Sequence, residues 1–211
     1  FKTPIATTLT AIEGIQQFNP SKDPEKTDRY LDISKVQLQK LDQMVEKLLE
    51  TAALDSDQLV LKKERIDPAP VLTQLVQKFQ TLAPEKEFTL LLPPSCRPIE
   101  VDPFHFEQVI SNLLRNAAEA MPQKKGATIT LSAHDQNGFV DLHVIDNGPG
   151  IPAEHLDKIF EPFFTTKEVG EGTGLGLPLC RKLVEGQDGE ISVQKSLLGG
   201  ARLTVSLPLS E

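Results

Sequence analysis

Leu31, Ser34, Leu38, Leu41, Val45, Leu48 and Ala52 recur at alternating spacings of three and four. That rhythm is a heptad seam, and it sets one helix against a partner helix. Upstream, Phe1, Ile5, Leu9, Ile12 and Ile15 also recur at helical spacing. Between the two stretches lies Asn19-Pro20-Ser21-Lys22-Asp23-Pro24, a cluster of helix breakers. Residues 1–60 therefore read as a helical hairpin with no strand-like alternation. A lone hairpin with an apolar stripe on each arm cannot bury both stripes well. Two hairpins paired as a four-helix bundle can, so the sequence predicts a homodimer through residues 1–60. Packing of the hairpin against the rest of its own chain is the competing expectation.

Residues 61–211 change character and read as a second domain of mixed helices and strands. Asp67-Pro68 and Asp102-Pro103 are both helix starts, with Asp capping free amides and Pro suited to the first turn. The first helix shows Val71, Leu72, Leu75, Val76 and Phe79 on its apolar face; the second runs to about Met121. Short strands are expected at Phe88–Leu92, Thr128–His134, Phe139–Ile145, Glu190–Gln194 and Ala201–Leu207. Asn137-Gly138 is a hairpin turn signal, and Gly199-Gly200 punctuates the last pair of strands. A further helix is expected over Leu177–Glu185. The fold class is α+β: a helical hairpin, then a domain of strands and helices.

Bulk properties narrow the function. Net charge is −8, and an acidic chain repels phosphate backbones, which excludes nucleic acid as the expected partner. No apolar run is long enough to span a bilayer, so no membrane contact is expected of this stretch. The start, Phe1-Lys2-Thr3-Pro4, has no initiating Met and no signal peptide, which suggests a piece of a longer protein. Cys96 and Cys180 stand in no metal or redox spacing and read as reduced cytosolic thiols.

Four strings carry chemistry. On the helix from Pro103, Phe106, Val109, Ile110, Leu113, Ala117 and Met121 form the core face, while Gln108, Asn112, Arg115, Asn116 and Glu119 form a separate stripe. Asn112 and Asn116 are one turn apart, so their amides project together. Paired amides can contact phosphates and complete an oxygen shell around Mg²⁺. Next, Asp146-Asn147-Gly148-Pro149-Gly150-Ile151 ends a strand with a carboxylate able to accept from an exocyclic amine, and its glycines let backbone pass close to a planar base. Then Phe160-Glu-Pro-Phe163-Phe164-Thr-Thr-Lys167 reads as a lid anchored by aromatic packing and hinged at Gly170 and Gly172. Last, Gly172-Thr173-Gly174-Leu175-Gly176-Leu177 opens a helix, where free amides form an anion site. It is neither a Walker loop, lacking Gly-Lys-Ser/Thr, nor a dinucleotide fingerprint. Taken singly, each string is also compatible with a solvated face or an ordinary turn.

Their order is the specific signal. The series resembles the N, G1, F and G2 boxes of histidine kinases. Phe1-Lys2-Thr3-Pro4 also looks like the back half of that family's H box. The resemblance implies an α/β sandwich ATP-binding domain of the type shared with gyrases and chaperones (residues 61–211), after a dimeric phosphoacceptor hairpin (residues 1–60). It implies that Asp146 binds the adenine amine, that Gly148, Gly150, Ile151 and Phe160 belong to the ATP site, and that Asn116 ligates Mg²⁺ while Asn112 contacts the phosphates. Gly172, Thr173, Gly174, Leu175, Gly176 and Leu177 become the phosphate loop. The family often carries a Lys one turn after the second Asn; Glu119 stands there, and Lys167 is offered as its substitute. The phosphoacceptor His is expected two residues before Phe1, outside this sequence, so His105, His134, His143 and His155 are given ordinary structural roles.

The activity that the resemblance implies is a phosphorelay. Mg-ATP phosphorylates the hairpin His, and the group then passes to an aspartate of a response-regulator receiver domain. Thr3 occupies a position associated with dephosphorylating that partner. A cytoplasmic location is expected, with the full-length protein anchored in the inner or plasma membrane. Two readings of other classes stand beside it: a clamp-type ATPase, which would lack the Phe-rich lid and the Lys-Thr-Pro helix, and a nucleotide-binding dimeric scaffold or pseudokinase.

Overall fold

The computed structural model of the chain describes residues 2–17, 25–38, 41, 60–121, 125–167 and 173–210. The chain divides into two compact units, Phe1–Asp55 and Ser56–Glu211.

In the first unit, α1 spans Lys2–Gln17 and α2 spans 25–38. The helices approach through small residues. A Cβ placed on Gly14 would stand 3.1 Å from the Tyr30 ring, and Thr8, Ala11 and Ser34 are buried. The Ser34 hydroxyl donates back to the Tyr30 carbonyl at 2.9 Å, which satisfies it inside the helix. Within one copy of the chain the heptad seam is covered only in part. Ser34 is buried, whereas its seam neighbours Leu31 and Leu38 are exposed, as are Ile5, Leu9 and Ile12 on α1. Small residues allow close approach, and the larger apolar residues are left on outer faces. Val45, Leu48 and Ala52 lie outside the described residues.

In the second unit the order is β1 (Glu64–Ile66), α3 (Pro68–Leu82), β2 (Glu87–Leu91), β3 (Ile99–Val101), α4 (Pro103–Glu119), β4 (Thr128–Gln136), β5 (Phe139–Asp146), a 3₁₀ turn (Ala153–His155), α5 (Gly176–Glu185), β6 (Glu190–Lys195) and β7 (Ala201–Pro208). Five strands form one sheet in the order β2-β4-β5-β7-β6, parallel only between β2 and β4; β1 and β3 pair separately and antiparallel. Strand alternation decides which face is core. On β7, Ala201, Leu203, Val205 and Leu207 are buried and alternate with half-buried Arg202, Thr204 and Ser206. The same apolar face carries Ile129 and Leu131 of β4 with Leu142 and Val144 of β5, all buried. The helices supply Leu72, Phe79, Phe106, Ile110, Leu113 and Leu183, also buried. Burying each such side chain stabilises the fold by about 1.5–3 kcal/mol.

Both Asp-Pro starts act as caps. Asp67 Oδ1 accepts from Ala69 N at 2.9 Å, and Asp102 Oδ1 accepts from His105 N at 3.1 Å. Each cap contributes about 1 kcal/mol. Asp102 does more. Its Oδ2 accepts from Lys62 N at 2.9 Å, and its own N–H donates to Gln187 Oε1 at 2.9 Å, tying α4 to the incoming segment and to the turn after α5. Burial pushes the Asp102 carboxyl up, but the N–H groups of Lys62 and His105 outweigh it and hold it below its ordinary value. The β4–β5 turn has positive φ at Asn137 (51°) and Gly138 (86°), as a type I′ hairpin requires.

The other face of the sheet is polar. His143 Nδ1 lies 3.0 Å from Thr204 Oγ1, and Arg202 donates to His143 Nε2 at 2.8 Å. The His134 ring lies 5.3 Å away, centroid to centroid. Burial first, then Arg202 and His134, push the His143 pKa down to about 4, against the opposing pull of Asp141. The neutral ring therefore accepts from Arg202 and donates to Thr204. Because the folded value lies below the unfolded one, protonation favours the unfolded state. Stability is therefore expected to be greatest above about pH 6.5 and to fall as pH drops toward 4. Urea unfolding across that window is expected to show a steeper loss in the parent than in His143→Gln.

Candidate functional site

Asp146 is the last residue of β5, and only 5% of it is exposed. Its Oδ1 accepts from Gly148 N at 2.8 Å and from Ala201 N at 3.2 Å. Both bonds fall on the same oxygen, so Oδ2 is not spent on either. The carboxylate is fixed by the turn that follows it and by the start of β7.

Glycines make this packing possible. A Cβ on Gly200 would stand 2.1 Å from Asp146 Oδ1, 2.3 Å from Asp146 O and 2.6 Å from Gly148 N. A Cβ on Gly148 would stand 2.8 Å from Asp146 Oδ1 and 2.9 Å from Met121 Cγ. In the sequence Gly200 punctuates the last pair of strands and opens Gly200-Ala201-Arg202-Leu203, a string that also resembles the family; its contact with Asp146 joins residues far apart in the chain. Gly200→Ala must displace backbone atoms, with an expected loss of about 1–3 kcal/mol. Gly199→Ala, where no atom lies within 4 Å, meets only the penalty of its φ of +100°. Comparing urea midpoints of the two variants checks this, with Gly200→Ala lower.

Asn147 has a role that its place in the motif does not signal. Its Oδ1 accepts from Thr128 N at 3.0 Å and its Nδ2 donates to Gly126 O at 2.9 Å, fastening the Asp-Asn-Gly turn to the start of β4. Gly150 has a φ of +75° and sits against the backbone of Gly199 and Gly200. Ile151 follows it and is half-buried.

The helix α4 carries the two asparagines, and Met121, just past its end, lies against Gly148 of the Asp146 turn. Asn112 is 7% exposed, more deeply set than a solvated stripe predicts. Asn116 is half-buried. A Cβ on Gly176 would stand 3.5 Å from Asn112 Oδ1, so the asparagine amide lies against the first residue of α5. The Asn helix and the glycine loop are thereby brought together, although they are distant in sequence. Within that loop Thr173 Oγ1 accepts from Leu175 N at 3.1 Å, and Gly174 has a φ of +66°. Leu175 is buried and Leu177 half-buried; Gly172 lies outside the described residues, as does Gly170.

The Phe-rich string packs unevenly. Arg181 of α5 lies over the Phe160 ring at 5.6 Å, and Phe164 contacts the His155 ring at 5.2 Å. Phe163 does not anchor by its ring: it is 71% exposed, has a φ of 68°, and instead donates its N–H to Gly174 O at 2.9 Å. Lys167 pairs with Glu119 of α4. Thr3 lies on α1, in the other unit.

A divalent cation would find amide oxygens here rather than a protein cage. Among the described residues no group of three or more His, Cys, Asp or Glu could hold a metal ion. Asn116 fits an ion that takes most of its oxygens from phosphates and water.

Comparison with known proteins agrees with the region involved. Residues 101–211 match the family described as histidine kinase-, DNA gyrase B- and HSP90-like ATPase. The sensor histidine kinase RcsC of Escherichia coli is 30% identical over 97% of the chain, which covers 22% of that protein. Sporulation kinase C of Bacillus subtilis is 31% identical over 95% of the chain and 46% of its own length. The chain thus spans between a fifth and a half of these relatives. The catalytic domain of histidine kinase ThkA superposes with a TM-score of 0.64 at 27% identity, covering 71% of this chain and 99% of that one.

Proposed function

Since the chain belongs to the histidine kinase-, DNA gyrase B- and HSP90-like ATPase family, we propose that it is the core of a sensor histidine kinase. In this reading it binds Mg-ATP, transfers the γ-phosphoryl group to a histidine on its helical hairpin, and hands it to a receiver-domain aspartate. The observation that carries the reading is the placement of the Asn112 amide against Gly176, which brings the asparagine helix to the glycine loop.

Phosphoryl transfer asks a protein mainly for positioning and charge neutralisation. Asp146 orients the base through Oδ2 while Gly148 and Ala201 hold Oδ1. Gly150 and Ile151 line the base pocket, with Phe160 at its edge. Asn112 and the amides of Thr173, Gly174, Leu175, Gly176 and Leu177, with Gly172, receive the phosphates. Asn116 would hold Mg²⁺ together with the nucleotide, and the ion would supply charge neutralisation there. On the hairpin, Thr3 serves dephosphorylation of the receiver domain.

Dimerisation through residues 1–60 is part of the same proposal. Ile5, Leu9, Ile12, Leu31 and Leu38 are exposed, and a second copy would remove them from water. Among the described residues no helix is long and apolar enough to cross a membrane.

Calorimetric titration with ATP and GTP, with and without Mg²⁺, tests the site. Mg-dependent binding of ATP with weaker GTP is expected, because a carboxylate accepts from the adenine amine and repels the guanine carbonyl. Equal binding of both nucleotides, or of neither, would remove Asp146 from the role.

A further inference from the structure

The stripe that carries Asn112 and Asn116 continues to Glu119, three residues further on and on the same side of α4. A carboxylate there is poorly suited to a site for a triphosphate, in a chain whose net charge is already −8. The structure offers a resolution. Lys167, at the end of the Phe-rich string, places its ammonium on Glu119 Oε2. The approach is set locally, since Lys167 N donates to Thr165 Oγ1 at 3.1 Å in a short hydroxyl-closed turn. The lysine and glutamate side chains are 33% and 46% exposed, so the pair is reachable from solvent.

We propose that Glu119 is a positioning residue, which holds the Lys167 ammonium beside Asn116 so that it meets the terminal phosphate of the bound nucleotide. This rests on the reading of Asn116 as the phosphate-side residue. An ammonium has three donors. One is occupied by Glu119, and the others are left for phosphate oxygens. The pairing removes the repulsion that a bare Glu119 would exert, and it places on the helix flank a cation carried by a different segment. A lysine at position 119 would deliver the same charge directly from the helix.

Affinities for Mg-ATP and Mg-ADP, measured by titration on the parent and on four variants, test the assignment. Lys167→Ala is expected to weaken ATP about tenfold and ADP far less, as loss of one charge-assisted contact to the terminal phosphate. Glu119→Gln is expected to weaken ATP several-fold, again with little change in ADP, and Glu119→Asp to recover part of that loss. The exchanged pair, Glu119→Lys with Lys167→Glu, is expected to keep the ATP preference. Unchanged affinities in Lys167→Ala and Glu119→Gln would overturn the proposal. So would tighter ATP binding by Glu119→Gln, which would make the glutamate a competitor for the lysine, or equal losses of ATP and ADP, which would mark a structural effect. Failure of the parent to bind ATP at all would instead defeat the reading of the whole site.

Discussion

Asp146→Asn is expected to fold normally and to lose adenine nucleotide about 10- to 100-fold. The asparagine oxygen can still accept from Gly148 N and Ala201 N, the two bonds that Oδ1 makes at 2.8 and 3.2 Å. Its NH₂ then takes the place of Oδ2 and confronts the exocyclic amine of adenine donor to donor. Stability is expected to stay within about 1 kcal/mol, because no buried N–H is left without a partner. Asp146→Ala separates the two effects. It leaves both amides unsatisfied beside a buried turn, at about 1–3 kcal/mol each, and should lose stability together with binding. Nucleotide titration and urea unfolding of both variants check the division of labour between the two oxygens.

The second large effect is expected at Asn116. Asn116→Ala should lower the rate of phosphoryl transfer by about 10²–10³-fold, the usual consequence of removing one preorganised group from a charge-stabilising site. Its side chain is half-buried, so the fold should tolerate the truncation. Binding of nucleotide without Mg²⁺ should change little, since the proposed base contact is made by Asp146 at the end of β5 and not by α4. Single-turnover labelling of a chain extended upstream by the residues proposed to carry the acceptor, with and without the substitution, measures the loss. Asn112→Ala differs in kind: at 7% exposure and against Gly176, it is expected to disturb the packing of α4 on α5 as well as the phosphates.

Features set by neighbours in sequence are readable in advance. Asp67-Pro68 and Asp102-Pro103 announce helices because capping is a local transaction between a side chain and the next amides. Asn137-Gly138 announces a hairpin because both residues accept positive φ. The strands β1 and β3 are not readable, since three residues each are too few for alternation to show. The parallel pairing of β2 with β4 escapes for a related reason: no local pattern fixes the direction of a strand's partner.

The same division holds in the site. The four strings stand out in order along the chain, yet the contacts that join them are long-range. Gly200 against Asp146, Asn112 against Gly176 and Lys167 on Glu119 each link different strings or strands. Asn147 is legible as a turn residue, but the fastening of its side chain to Gly126 and Thr128 depends on how β4 and β5 are registered. In the first unit, spacing picks out the apolar residues as a set. It does not reveal that Ser34 rather than Leu31 or Leu38 is covered within one copy, because close approach at Gly14 and Tyr30 turns small residues inward.

The most direct test of the central claim is Mg-ATP-dependent phosphorylation of this chain beside a version extended upstream of Phe1. Labelling of the extended chain alone, as an acid-labile and base-stable phosphate, is the predicted result. An extended chain that binds nucleotide but is never labelled would contradict the account, and would favour a clamp-type ATPase or a nucleotide-binding scaffold.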